Sequence, residues 1–217
     1  MSVWGNSAER EARAIRRRAR RGLSGHVTAW LGVNPEAARA DAVAARWELG
    51  GQAERETARL VRRLRWRGWR IRHDRRLTGR RFNVDHVLVS PCGTAVVVGD
   101  TKRWNAGQAT AGVGGRLFCG TQDRHGEAEK VARYAALVGE AVGTPVAVWP
   151  VLVIHASPVP VPGGHFQVVT AHGVVQVVAA DQVRRVLRSG PQGWSWARAR
   201  RVSARVDVVL RPYREGG

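Results

Sequence analysis

Lysine is almost missing from a chain that is otherwise strongly basic. Of 36 lysine and arginine residues, only Lys102 and Lys130 are lysine, set against 17 acids and a net charge of +19. Cysteine is as rare: Cys92 and Cys119 show no CxxC spacing, which argues against a disulfide framework and suits a reducing compartment. The seven histidines are scattered and lack zinc-ligand spacing. The longest apolar run, Pro145–Ile154, is far too short to cross a bilayer. The first residues hold no apolar signal-peptide core, and Glu9 and Glu11 argue against an organellar presequence, so the expected location is cytoplasmic. No serine lies in a nucleophile elbow. Gly112-Val113-Gly114-Gly115 lacks the strand-to-helix context of a phosphate or dinucleotide loop. No internal repeat is present.

What is abundant is arginine. Such a surface attracts polyanions, because neutralising phosphates releases condensed counterions. Nucleic acid, DNA foremost, is therefore the expected partner. A membrane surface is not expected, since no basic amphipathic helix carries a clear insertion face. Hydrophobic content and Gly/Pro frequency are those of a globular chain, and 217 residues suffice for one domain with appendages.

The chain is organised around 82–104. Two valine-rich runs, Val84–Ser90 and Ala95–Thr101, flank the turn signal Pro91-Cys92-Gly93-Thr94 and predict a β-hairpin. A turn centred on Cys92-Gly93 pairs residues whose numbers sum to about 185. Asp85 then faces Asp100, an arrangement of like charges that is destabilising. Lys102 shares the face of Asp100, as do Val87, Val89, Val96 and Val98. Val84, Leu88, Ala95 and Val97 are assigned to the other face, so both sides are apolar and the strands are expected to be central. Two carboxylates and one ammonium at the end of an apolar face predict a cation site. The scarcity of lysine sharpens the role of Lys102: a compact ammonium can hold a water or shift its pKa, whereas guanidinium cannot substitute.

Around the hairpin, a basic helix is expected at Glu9–Arg21. A second starts at Asn34-Pro35-Glu36 and stops at Gly50-Gly51. A third spans Gln52–Arg67, with Ala53, Thr57, Ala58, Leu60, Val61 and Leu64 on one stripe. Glu54 falls inside that stripe. Its carboxylate is either satisfied by first-turn amides or directed to the site of Asp85 and Asp100. Trp69–His73 reads as a strand and Arg75–Arg81 as a basic loop placed to grip phosphates. Residues 105–125 read as a Gly-rich mobile loop with a short strand at Arg116–Cys119. Gly126–Val142 reads as a helix, with Glu127 a secondary site candidate, and Val146–Ile154 as a buried strand. A second hairpin is expected around Ala171-His172-Gly173, a short helix at Asp181–Arg188, and a basic helix in Trp194–Tyr213. His86 points away from the acids and is assigned either a structural role or one of supporting the site from behind. Trp104 is read first as core and second as a base-stacking platform.

Glu54 on a helix, Asp85 on the second strand and Asp100-Thr101-Lys102 on the third resemble the PD-(D/E)xK nuclease superfamily. More narrowly, Gly51-Gln-Ala-Glu54, Val84-Asp85-His86-Val87, Ser90-Pro91-Cys-Gly93 and Asp100-Thr-Lys102-Arg-Trp104 resemble a NERD (nuclease-related) domain over about 50–155. Such domains more often carry Glu at the position of Asp100, a reach one methylene longer. The resemblance implies an α/β fold with a mixed sheet: a restriction-endonuclease-like αβββαβ core, basic N-terminal helices over 1–49, a nuclease-related domain over 50–190, and a C-terminal hairpin-plus-helix extension with a basic tail at 191–217. It also implies a Mg²⁺- or Mn²⁺-dependent nuclease hydrolysing DNA phosphodiesters, or a nucleic-acid-binding module that keeps the fold without catalysis. The catalytic residues would be Glu54, Asp85, Asp100 and Lys102. The metal would be held by Asp85, Asp100, Glu54 and the Thr101 carbonyl, a hard-oxygen set suited to those ions.

Overall fold

Valine alternation and the Pro91–Thr94 turn pair the two central runs as expected. In the computed structural model, which describes residues 13–15, 35–143 and 145–213, β2 (Asn83–Val89) and β3 (Ala95–Arg103) are antiparallel. Their partners run from Val89↔Val96 to His86↔Gly99, the register read from the sequence. β1 (Arg70–Leu77) lies outside β2, and β3 pairs in parallel with β7 (Ala147–His155). Beyond β7 come β9 (Gly173–Ala179) and then β8 (His165–Thr170). A last short strand, β10 (Leu210–Pro212), closes the other edge against β1. The seven-stranded order is β10-β1-β2-β3-β7-β9-β8, a mixed sheet in an α/β fold.

The sheet is covered on two sides, which is why Ala95–Thr101 is buried without interruption. On one face Val87, Val89, Val96 and Val98 pack with Val131, Ala135 and Val138 of helix α2 (His125–Val142). On the other, Leu88, Val97, Val151 and Val153 meet Val61, Leu64, Val183 and Leu187. Fully burying a Val or Leu side chain contributes about 1.5–3 kcal/mol, so these two layers hold the central strands. Val84 departs from its expected face and joins the first core with Leu77 and Leu210. Across from this part of β2, Asp74 of β1 has a φ of 50°, rare for a non-glycine residue.

Contacts divide the chain into two units, residues 1–56 and 57–217. The two helices expected on either side of Gly50-Gly51 are one continuous helix, α1 (Pro35–Arg62), which passes into a 3-10 turn at Arg63–Arg67. Glycine inside a helix costs about 1 kcal/mol each, which a long helix tolerates. Gly68 (φ 79°) is the actual stop. Of the expected helix Glu9–Arg21, residues 13–15 are helical and the rest lie outside the described residues.

Two loops of the sequence reading are folded. Arg75 and Arg76 belong to β1, paired on both sides. Residues 105–125 hold a second, three-stranded sheet of β4 (Thr110–Val113), β5 (Arg116–Cys119) and β6 (Gln122–Asp123). Gly114 and Gly115, both at positive φ, form the two-residue hairpin turn that joins β4 to β5. Leu117 and Cys119 anchor this sheet in the first core. After the short helix α3 (Val183–Arg188), helix α4 (Trp196–Val209) adds Val202 and Val206 to that core. Arg72 of β1 straps α4 with bonds to both Asp207 oxygens, at 2.7 and 2.5 Å, and to Ser203.

Candidate active site

The like-charge conflict at the head of the hairpin is resolved by two different partners. Asp85 turns its Oδ2 to the backbone N–H of Thr101, 2.8 Å away. Asp100, only 8% exposed, meets Lys102 Nζ at 2.6 Å through Oδ2. That contact is a short ion pair, and it compensates the charge of a buried carboxylate.

Helix α2 supplies two more charges. Glu127 Oε2 lies 3.6 Å from Lys102 Nζ, and Lys130 Nζ lies 3.9 Å from Asp100 Oδ1. Both lysines of the chain therefore meet one carboxylate. The scarcity that singles out Lys102 in the sequence applies equally to Lys130, whose place on a helix does not by itself reveal its proximity to β3. Burial opposes the charge on Lys102, but attraction to Asp100, then Asp85, and finally Glu127 outweighs it. The ammonium is held well above the usual lysine range. Lys102 is thus poised as a fixed positive charge and proton holder rather than as a free base.

Behind the acids, on the opposite face of the sheet, a buried chain of hydrogen bonds fixes Thr101. His73 Nδ1 lies 2.8 Å from His86 Nδ1, and His86 Nε2 lies 3.1 Å from Thr101 Oγ1. Thr101 Oγ1 donates to Thr57 Oγ1 at 3.1 Å, and Thr57 Oγ1 lies 2.7 Å from His155 Nε2. Because the Thr101 hydroxyl donates onward, it accepts from His86 Nε2–H, and His86 Nδ1 then accepts from His73 Nδ1–H. Thr57 keeps both a lone pair and a proton for His155 Nε2, so the direction of that link follows the tautomer of His155. Burial, first, and the charges of Arg65 and Arg75 push His73 down to about 4. Burial likewise pushes His86 well down, helped by its neighbours His73 and His155. The structural role expected for His86 is the one found. Scattered sequence positions concealed the chain, since its five members come from α1, β1, β2, β3 and β7.

The structure thus brings Asp85, Asp100, Thr101 and Lys102 together. Glu54 lies on α1 in the unit of residues 1–56, half-buried, three residues before the division. Among the described residues no set of three or more His, Cys, Asp or Glu is grouped to hold a metal. Two carboxylates remain, those of Asp85 and Asp100. That set fits Mg²⁺ or Mn²⁺, ions that use one or two carboxylates and keep several waters. Trp104 is core, 9% exposed, with Arg124 5.7 Å over its ring, and is not a base-stacking platform. Cys92 sits in the turn between the hydroxyls of Ser90 and Thr94, with no base beside it. Both cysteines are free and buried.

Comparison with known families bears directly on this arrangement. Residues 49–155 match the model of the NERD family, a nuclease-related domain. The matched span opens in α1 and closes at the end of β7, and it includes Asp85, Asp100 and Lys102. No curated protein and no solved structure matched in the corresponding searches.

Proposed function

Residues 49–155 are a nuclease-related domain, and from that premise we propose that the chain is a metal-dependent nuclease that hydrolyses phosphodiester bonds in DNA. The observation that carries the proposal is the convergence of Asp85, Asp100 and the doubly paired Lys102 at one end of β2 and β3, inside the matched span. Asp85 and Asp100 would hold Mg²⁺ or Mn²⁺, with the Thr101 carbonyl as a further oxygen. When bound, such an ion lowers the pKa of a coordinated water and offsets charge on phosphoryl oxygens.

The chain's own residues supply the rest. The amide bond from Thr101 fixes the Asp85 carboxylate. The buried His–Thr chain holds Thr101 from behind, and so sets the spacing of Asp100 and Lys102 on either side of it. Lys102 keeps its proton through attraction to three carboxylates and can offer positive charge to a phosphate or hold the attacking water. Lys130 adds a second ammonium toward Asp100.

A second reading has its own support. Lys102 Nζ already stands 2.6 Å from Asp100 as a resident cation, and no three-acid group is present among the described residues. Both features favour a nucleic-acid-binding module without turnover. One assay separates the two: cleavage of supercoiled plasmid with Mg²⁺ or Mn²⁺, with and without EDTA, by wild type, Lys102→Ala and Asp100→Ala. The nuclease reading expects metal-dependent nicking that each substitution lowers by roughly 10²-fold or more, with unchanged circular dichroism. Equal rates in wild type and both variants would sink it.

A further inference from the structure

The second core face carries a concentration of positive charge that the acids do not use. Leu64, Val183 and Leu187 are buried there. Anchoring them turns the neighbouring arginines of the Arg63–Arg67 turn and of α3 outward, around a common cleft. The cleft has a volume of about 200 Å³ and is lined by Arg63, Arg67, Arg184, Arg185 and Arg188. Its one acid, Asp181, already accepts from Gln182 Nε2 at 2.8 Å. Among the described residues none of the five arginines pairs with a carboxylate, and the buried Nε of Arg184 has no hydrogen-bond partner. Like charges one helical turn apart, as at Arg184 and Arg188, repel. Five guanidiniums around one hollow therefore call for a polyanion.

Next to Arg67 in the chain is Trp66, 92% exposed, which leaves its indole open to a ligand. Basic clefts flanked by open aromatic rings suit single strands: guanidinium forks take phosphates bidentately, and an indole face takes an unpaired base. Bases inside a duplex are stacked on one another and cannot use the ring. Asp100 and Lys102 belong to the opposite face of the sheet, with α2, so the cleft grips without entering the chemistry.

We propose that this cleft binds the phosphate backbone of single-stranded nucleic acid, with one base stacked on Trp66. The proposal rests on the nucleic-acid reading above but not on catalysis. Its test is the fluorescence anisotropy of a labelled oligothymidylate of about fifteen nucleotides. The full chain carries Lys102→Ala, and the buffer contains EDTA, so that nothing is cleaved. Arg184→Gln/Arg185→Gln/Arg188→Gln is expected to weaken binding about tenfold or more and to reduce the salt slope by about two, at roughly 0.7 per lost phosphate contact. Trp66→Ala, a fully exposed substitution that spares the fold, is expected to weaken binding about tenfold and leave the slope unchanged. An oligouridylate should respond in the same way, whereas a duplex of equal length should ignore Trp66→Ala. Unchanged affinity in both variants overturns the proposal. So does displacement of the oligonucleotide by poly-glutamate at equal charge, which would make the cleft an acidic-peptide site. Lys102-dependent plasmid cleavage alongside unchanged oligonucleotide binding overturns the cleft alone. Variant-sensitive binding without any cleavage leaves the cleft standing and removes the nuclease.

Discussion

Replacing His73 with Asn should make this protein less sensitive to acid, although it removes a buried residue. His73 is 7% exposed and is held down to about 4 by burial and by Arg65 and Arg75. In the unfolded chain it returns to about 6.5. Between those values the unfolded chain binds a proton that the folded chain refuses. The neutral histidine is therefore no burden above about pH 6.5, and stability is lost as pH falls from there toward 4. At pH 5 the single-site loss is about 2 kcal/mol, and below pH 4 it levels near 3.4 kcal/mol. His86 adds to the loss in the same direction, because burial lowers it too. Asparagine keeps an N–H where His73 Nδ1 donates to His86, and does not titrate. The assay is urea denaturation, followed by tryptophan fluorescence, of wild type and His73→Asn at pH 7.5 and pH 5. The stability difference between them should move by about 2 kcal/mol in favour of the variant on acidification. A difference that stays constant within about 0.5 kcal/mol would refute the neutral, buried assignment of His73.

Thr57→Val leaves the Thr101 hydroxyl and His155 Nε2 without their shared partner, and should cost about 1–3 kcal/mol by the same denaturation measurement. Gly93→Ala places a methyl at φ 68°, with its Cβ 2.6 Å from the Ala199 backbone nitrogen. A loss of about 2 kcal/mol or more is expected, read as a lowered thermal midpoint. Asp207→Asn weakens the Arg72 strap. Hydrogen bonds from Arg72 hold Asp207 below the usual carboxylate range against the opposing effect of burial. That contribution is complete above about pH 4 and vanishes as pH falls through the lowered value. Because the carboxylate is 45% exposed, about 1 kcal/mol or less is expected at pH 7, with wild type and variant converging in strong acid.

The sequence by itself determined the hairpin. Strand period two and a Pro/Gly turn admit one register, and that register places Asp85 and Asp100 at one level, with Lys102 on the face of Asp100. The helices before and after it, the closing strand β7 and the second hairpin follow from equally local patterns. The limits of that reading were also physical. Gly50-Gly51 signals a stop locally, but two helix glycines cost only about 2 kcal/mol, and α1 continues through them. Residues 105–125 have too few apolar positions to announce strands, and only anchoring of Leu117 and Cys119 in the core makes them a sheet. Tertiary structure alone decided what surrounds the acids. It brought Lys130 and Glu127 from α2, and joined His73, His86, Thr101, Thr57 and His155 into one buried line, because side chains far apart in sequence meet only where strands are laid side by side.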